Sequence, residues 1–228
     1  MKSQSTPSFA FFDLDHTLIP MDSDFSWGTY TVMLGWVDPD QFASRNDQFY
    51  SQYKNGTLDI HEYIEFATRA LRIRSREECL NARSAYVSDV IAPVIMPAAL
   101  SLVKKHQELG DTIVLVTATN EFVTRPIAPL FGIEHLIAVD LEIDANTGGY
   151  TGGISGVPSF REGKVARVEQ WLRSRGLDMA ITRTTFYSDS INDLPLLEAV
   201  DKPVATNPDD ALRRIAQERN WEIVELFR

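Results

Sequence analysis

Cysteine is nearly missing from this sequence. Cys79 is the only one in 228 residues, so no intrachain disulfide forms and a disulfide-framed scaffold is excluded. A lone thiol of this kind is expected as a small core hydrophobe. Basic charge is also in short supply: 22 Lys and Arg face 32 Asp and Glu, for a net charge of −10. No run of Lys and Arg interleaves with aromatics. Neither nucleic acid nor a membrane surface is therefore an expected partner. Long apolar runs are absent too. The longest uncharged apolar stretch, Val90 to Val103, contains Pro93 and Pro97 and falls short of the roughly 20 residues a membrane helix needs. The leader MKSQSTPS is short and polar and lacks the apolar region of a secretory signal, so a cytoplasmic protein is expected.

What is present is enough apolar matter for a sizeable core, 44% of residues. Residues 9–14 read as a buried strand. Residues 20 to about 95 carry apolar positions at helical spacing, with Asp38-Pro39-Asp40, Asn55-Gly56 and Ser75 as helix boundaries. From Pro97 the pattern alternates. Helices are expected over 97–108, 120–131, 163–175, 192–199 and 209–219, with strands at 112–117, 136–139, 184–187, near Val204 and at 223–226. The glycine-rich stretch 140–157 reads as a hairpin or loop. The alternation predicts an α/β fold, a doubly wound parallel sheet, with a helical insertion after the first strand.

Chemistry-bearing residues gather at the carboxyl ends of the expected strands, where open parallel sheets bind ligands. Asp13 and Asp15 follow the first strand and Thr117 the second. Asp189 and Asp193 follow a later one, and Lys164 opens a helix between them. Taken singly, each has an ordinary structural explanation, such as a turn cap or a solvated lysine. Their order and shared placement point to one site. Up to four carboxylates in one crevice need a cation, and oxygen-only ligation suits a hard ion, Mg²⁺. The ion with Lys164 leaves room for a phosphate dianion, held by the Thr117 hydroxyl and neighbouring N–H groups. Two carboxylates one residue apart suit hydrolysis through a covalent intermediate. One attacks phosphorus, and the other protonates the leaving alkoxide and then deprotonates water.

The motifs FFDLDHTL, VTAT, EGKV and SDSINDLP together resemble the haloacid dehalogenase superfamily, and within it the phosphoserine phosphatase-like group. The resemblance implies a Rossmann-like core over residues 1–19 and 95–228, with a helical cap over 20–94. It implies that Asp13 is the nucleophile and a magnesium ligand. Asp15 becomes the general acid/base, with its carbonyl on the metal. Thr117 and the Ala118 N–H bind phosphoryl oxygens, Lys164 neutralises nucleophile and phosphate, Asp189 completes the metal ligands and Asp193 supports it. An aspartate at position 15 implies a phosphatase or phosphomutase. Two departures stand out: His16 sits where glycine is commonest, and Ser188 replaces the common glycine before Asp189. Asp22 stands where phosphoserine phosphatases carry a substrate-binding glutamate, and Arg69, Arg72 and Arg74 are candidates for the arginine that grips a substrate carboxylate.

Of the chain's 12 Phe, 4 Trp and 7 Tyr, ten lie between residues 25 and 66. Either they form the core of a small helical domain, or some line a pocket for a flat or apolar leaving group. With Asp22 and Asp24 nearby, a phosphorylated amine of the phosphoserine or histidinol phosphate type is the expected small-metabolite substrate. A phosphomutase or phosphotransferase would use the same residues, and a phospho-accepting signalling domain is a more distant alternative.

Overall fold

The computed structural model describes residues 6–227, and of Lys54 the backbone alone. Residues 1–5 of the polar leader and Arg228 lie outside the described residues. Strand β1 (Ser8–Phe12) sits inside a six-stranded sheet with β2 (Thr112–Asn120), β3 (His135–Val139), β6 (Arg183–Ser188), β7 (Lys202–Thr206) and β8 (Glu222–Val224), in the order β3-β2-β1-β6-β7-β8. Every pairing in it is parallel. The glycine-rich stretch forms a separate antiparallel pair, β4 (Leu141–Ile143) and β5 (Tyr150–Ile154).

Side-chain alternation on β1 splits the core in two. Phe9 and Phe11 face one side with Val114, Val116 and Phe186, under α8 (Glu162–Arg173), α9 (Leu194–Ala199) and α10 (Asp210–Glu218). Ala10 and Phe12 face the other with Leu115 and Tyr187, under α6 (Pro97–Leu109). A sheet covered on both faces explains why its central strands read as unbroken apolar runs.

Between β1 and α6 the described chain is helical: α1 (Ser23–Met33), α2 (Pro39–Asn55), α3 (Ile60–Ala67), α4 (Arg69–Arg72) and α5 (Arg76–Tyr86), then a π turn and a 3₁₀ turn to Val94. Its sequence punctuation has clear causes. Asp38 caps α2 with Pro39 at its first position, Gly56 ends it at φ 69°, and Ser75 with Glu78 forms a capping box on α5. Trp27 anchors this layer on the sheet domain, 5.3 Å from the Tyr86 ring and 5.6 Å from Phe122. Cys79 is buried, as expected.

One element differs from expectation. The helix expected over 120–131 is only a four-residue α7 (Glu121–Thr124) and a 3₁₀ turn at 128–131. Pro126 and Pro129 lack the N–H groups a continuous helix needs, and β2 runs on to Asn120, whose side chain caps α7. Among the described residues no single helix is long and apolar enough to cross a membrane.

Candidate active site

The strand order reverses beside β1, so the carboxyl ends of β2, β1 and β6 lie side by side. Phe12 is level with Leu115 on one neighbour and with Tyr187 on the other. The Asp13 N–H continues the ladder to Tyr187 O at 2.9 Å. The chain then turns sharply, with Leu14 O accepting from the N–H groups of Thr17, Leu18 and Ile19. His16 takes φ 56° in this turn. That left-handed conformation explains why glycine suits the position, and Asn207 Nδ2 fastens it by donating to His16 O at 2.9 Å.

Each candidate carboxylate is held by an identifiable partner. Lys164 Nζ is 2.8 Å from Asp13 Oδ1 and 2.7 Å from Asp193 Oδ2, all three groups buried. Lys164 reaches there from the first turn of α8. Gly163 permits that approach, because a Cβ on it would stand 2.0 Å from Pro158 O. Asp15 Oδ1 accepts the Ser23 N–H at 2.7 Å, and Oδ2 accepts the Thr119 hydroxyl at 2.8 Å. The Asp189 N–H donates to Thr17 Oγ1, whose hydroxyl in turn lies 3.2 Å from Asp189 Oδ1. Ser188 Oγ donates to Asp193 Oδ2 at 2.7 Å.

A cleft of about 330 Å³ opens above this cluster. Asp13, Asp15 and Asp189 line it, as do Thr117 and Ala118, whose neighbour Thr119 binds Thr117 Oγ1 through its N–H at 3.1 Å. Lys164 and Asp193 do not line it; Lys164 holds Asp13 from behind, and Asp193 holds Lys164. The far wall comes from the helical layer: Asp22, Asp24, Phe25, Tyr50, Tyr53 and Tyr63. The aromatic cluster therefore divides by position. Trp27, Tyr30 and Trp36 pack on the core, while the residues just named face the cleft. Arg69, Arg72 and Arg74 do not line it. Arg72 binds Glu65 O at 2.9 Å, and Arg74 lies over the Trp36 ring.

Burial dominates the electrostatics. It pushes Asp13 up to about 7, against Lys164 and reinforced by Asp193 and Asp15. Burial and the Asp22 charge push Asp15 up to about 6, and burial with Asp13 and Asp193 raises Asp189 well above the usual carboxylate range. Burial alone would lower Lys164, but Asp13 and Asp193 more than reverse that, so it stays charged. One cation among these carboxylates leaves an excess of negative charge that favours a bound cation. Among the described residues no three His, Cys, Asp or Glu side chains form a metal-binding group. A site here draws two side-chain carboxylates, Asp13 and Asp189, each tied to the protein through Oδ1. With a main-chain carbonyl and waters, that hard-oxygen donor set fits Mg²⁺.

Two residues of this network went unnoticed in the sequence, Thr17 and Thr119, and Ser188 stood out there only as a departure from glycine, not for its bond to Asp193. For Thr119 a signal existed. It lies two residues beyond Thr117 on a strand that continues, so both hydroxyls fall on one side. Its bond orients Asp15, so Thr119→Val is expected to lower kcat roughly 10–100-fold with KM nearly unchanged, measured by steady-state phosphate release.

Fold and cleft together define a Rossmann-like hydrolase. Residues 10–198 match the haloacid dehalogenase-like hydrolase family, and the chain belongs to it. It is 42% identical over 218 residues to a histidinol-phosphatase of Neisseria meningitidis serogroup C (strain 8013), covering 95% of this chain and 98% of that protein. It is 30% identical over 223 residues to a phosphoserine phosphatase of Mycobacterium tuberculosis, covering 94% and 69%. Among solved structures, a protein of unknown function from Bordetella pertussis Tohama I superposes with a TM-score of 0.92 at 46% identity, covering 98% and 100% of the two chains. A phospho-aspartyl intermediate analogue of phosphoserine phosphatase superposes at 0.67 with 14% identity, covering 98% and 95%, a likeness of fold. The chain is a phosphomonoester hydrolase.

Proposed function

We propose that this enzyme hydrolyses a small amine-bearing phosphate monoester, of the histidinol phosphate type, through a phosphoenzyme on Asp13 with Mg²⁺ bound. The observation that carries the substrate class is Asp24. It is buried in the cleft wall; Oδ1 accepts Asn120 Nδ2 at 3.0 Å, and Oδ2 lacks a hydrogen bond of normal geometry. Tyr63 stands beside it, its hydroxyl pushed up by burial and then by the Asp24 and Asp22 charges. A cationic or hydrogen-bond-donating group on a flat leaving group satisfies both this carboxylate, whose second oxygen only the Tyr63 hydroxyl approaches, and the aromatic wall. Asp22 contributes charge but is already committed as the α1 cap, accepting from the Asp24 and Phe25 N–H groups. That no arginine or lysine lines the cleft among the described side chains favours a leaving group without a carboxylate. The histidinol-phosphatase relative supports the same choice.

In this reading residues 20–94 act as the cap over a core of 1–19 and 95–228. Thr117 Oγ1 and the Ala118 N–H hold phosphoryl oxygens, and Lys164 offsets charge on Asp13 and on the phosphoryl group. The Asp13 carboxylate attacks phosphorus as the ester P–O bond breaks, and Asp15 gives its proton to the leaving oxygen. Asp15 then takes a proton from water, which attacks the aspartyl-phosphate and frees Asp13. Asp13, Asp189 and the Asp15 carbonyl would hold Mg²⁺, which supplies charge stabilisation to the transferring phosphoryl group. Asp193 acts through Lys164.

The test compares histidinol phosphate, phosphoserine and glycerol phosphate, with and without a chelator. The expected order puts histidinol phosphate first and glycerol phosphate last, with activity lost on chelation and restored by Mg²⁺. Asp24→Asn is expected to lower kcat/KM for histidinol phosphate roughly 10–100-fold while leaving glycerol phosphate within about threefold. Equal losses on both esters would count against Asp24 as the amine receptor.

A further inference from the structure

A second cleft, of about 280 Å³, lies away from the catalytic carboxylates between α5, α7 and the β4–β5 hairpin. Its chemistry runs against the rest of the chain. In a protein of net charge −10, Arg74, Arg76, Arg83 and Arg125 all line it. Arg125 pairs with Glu121. Among the described residues the other three form no ion pair. Arg83 Nε is buried without a hydrogen-bond partner, although Nη1 donates to Phe122 O at 3.0 Å and the guanidinium lies 4.7 Å from the Phe122 ring centre. Arg76 sits in the first turn of α5, the helix end where a cation is disfavoured. Burial and the charges of Arg125 and Arg76 hold Arg83 below its usual value, with Tyr150 and Glu121, the one carboxylate lining the cleft among the described residues, acting in the opposite sense. The floor is apolar: Phe122 and Tyr150 meet edge to face at 5.9 Å, beside Leu71 and Leu80.

We propose that this arginine-lined cleft is a second ligand site, which takes a small phosphate-like dianion carried on an apolar or aromatic body. Arg83 adds a partly desolvated charge in the wall, the exposed guanidinium groups supply charge and forked donors, and the Phe122–Tyr150 corner receives the ring. The three walls belong to different parts of the chain. Arg74, Arg76 and Arg83 come from the helical layer, Arg125 follows directly after β2 and α7, and Tyr150 comes from the hairpin. A dianion here therefore ties the helical layer to the strand that carries Thr117 and Thr119. That gives it a route to modulate the active site without entering it.

The probe is phenylphosphonate, which has a phosphate-like head, an aromatic body and a carbon–phosphorus bond that no phosphomonoester hydrolysis cleaves. Calorimetric titration of the full chain is compared with the variant Arg76→Met/Arg125→Met, both positions exposed. The variant is expected to bind one equivalent fewer than the wild type, or to bind that equivalent at least about tenfold more weakly. Phenylphosphonate should meanwhile retain the same competitive inhibition constant at the active site in both proteins. Equal stoichiometry and affinity in the two proteins would overturn the proposal. The readout is binding, so it stands or falls apart from the identity of the hydrolysed substrate.

Discussion

Asp13→Asn is expected to lose about four orders of magnitude or more in kcat, read as phosphate release at saturating substrate. An amide has no negative oxygen to attack phosphorus, and nothing else in the cleft replaces it. Asp15 is engaged at both oxygens by Ser23 and Thr119, and Asp189 is turned toward Thr17. The substitution is isosteric, and Lys164 keeps its bond to Asp193, so the fold should survive. Burial and neighbouring carboxylates already disfavour the Asp13 charge. The metal-free variant is therefore expected to melt no lower than the wild type, which separates lost chemistry from lost structure. A variant that melts normally and retains substantial turnover would remove Asp13 from the centre of the mechanism.

Lys164→Met should damage both activity and stability. The lysine is 1% exposed and is the cation that Asp13 and Asp193 share. Its removal leaves two carboxylates buried without a counter-ion. Breaking a buried pair from one side costs about 3–5 kcal/mol, which in a chain of this size is a fall in Tm of roughly 6–20 °C. Measured in the presence of a chelator, a shift well below this would mean that water reaches the pair and screens it. Turnover should fall at the same time, because the charge on Asp13 and on the bound phosphoryl group loses its partner.

The fold was legible wherever one residue type had one structural use. The apolar run before Asp13 had to be a buried parallel strand, and the capping residues Asp38, Gly56 and Ser75 marked helix ends that the structure reproduces. Ordinary periodicity misled at 120–131. The apolar spacing there is helical, yet Pro126 and Pro129 interrupt it and β2 takes the first residue, Asn120. The candidate site was legible as a set of carboxylates at strand ends, and the structure brings Asp13, Asp15, Lys164, Asp189 and Asp193 into one cluster. The hydroxyls that orient them were not legible. Thr17 and Ser188 make their bonds across 172 residues and around a five-residue turn respectively, and no local pattern records either. Ser188 shows how a departure from the family's common glycine is accommodated: its hydroxyl finds Asp193. The candidate arginines failed for a similar reason, since a helical stretch of sequence does not say which face meets the cleft. Arg72 turned to Glu65 and Thr151, and Arg74 to Trp36.

The central claim is that Asp13 carries the phosphoryl group while Asp15 moves the protons. Asp15→Asn tests it most directly when an aryl phosphate is the substrate. An aryl leaving group departs without a proton, so the first half-reaction proceeds, and the second stalls without its base. Acid quenching followed by peptide mass spectrometry is then expected to show a phosphoryl adduct on the peptide that contains Asp13, with one equivalent of phenol released per chain. Continued turnover of Asp15→Asn with no adduct, or an adduct on another residue, would contradict the account.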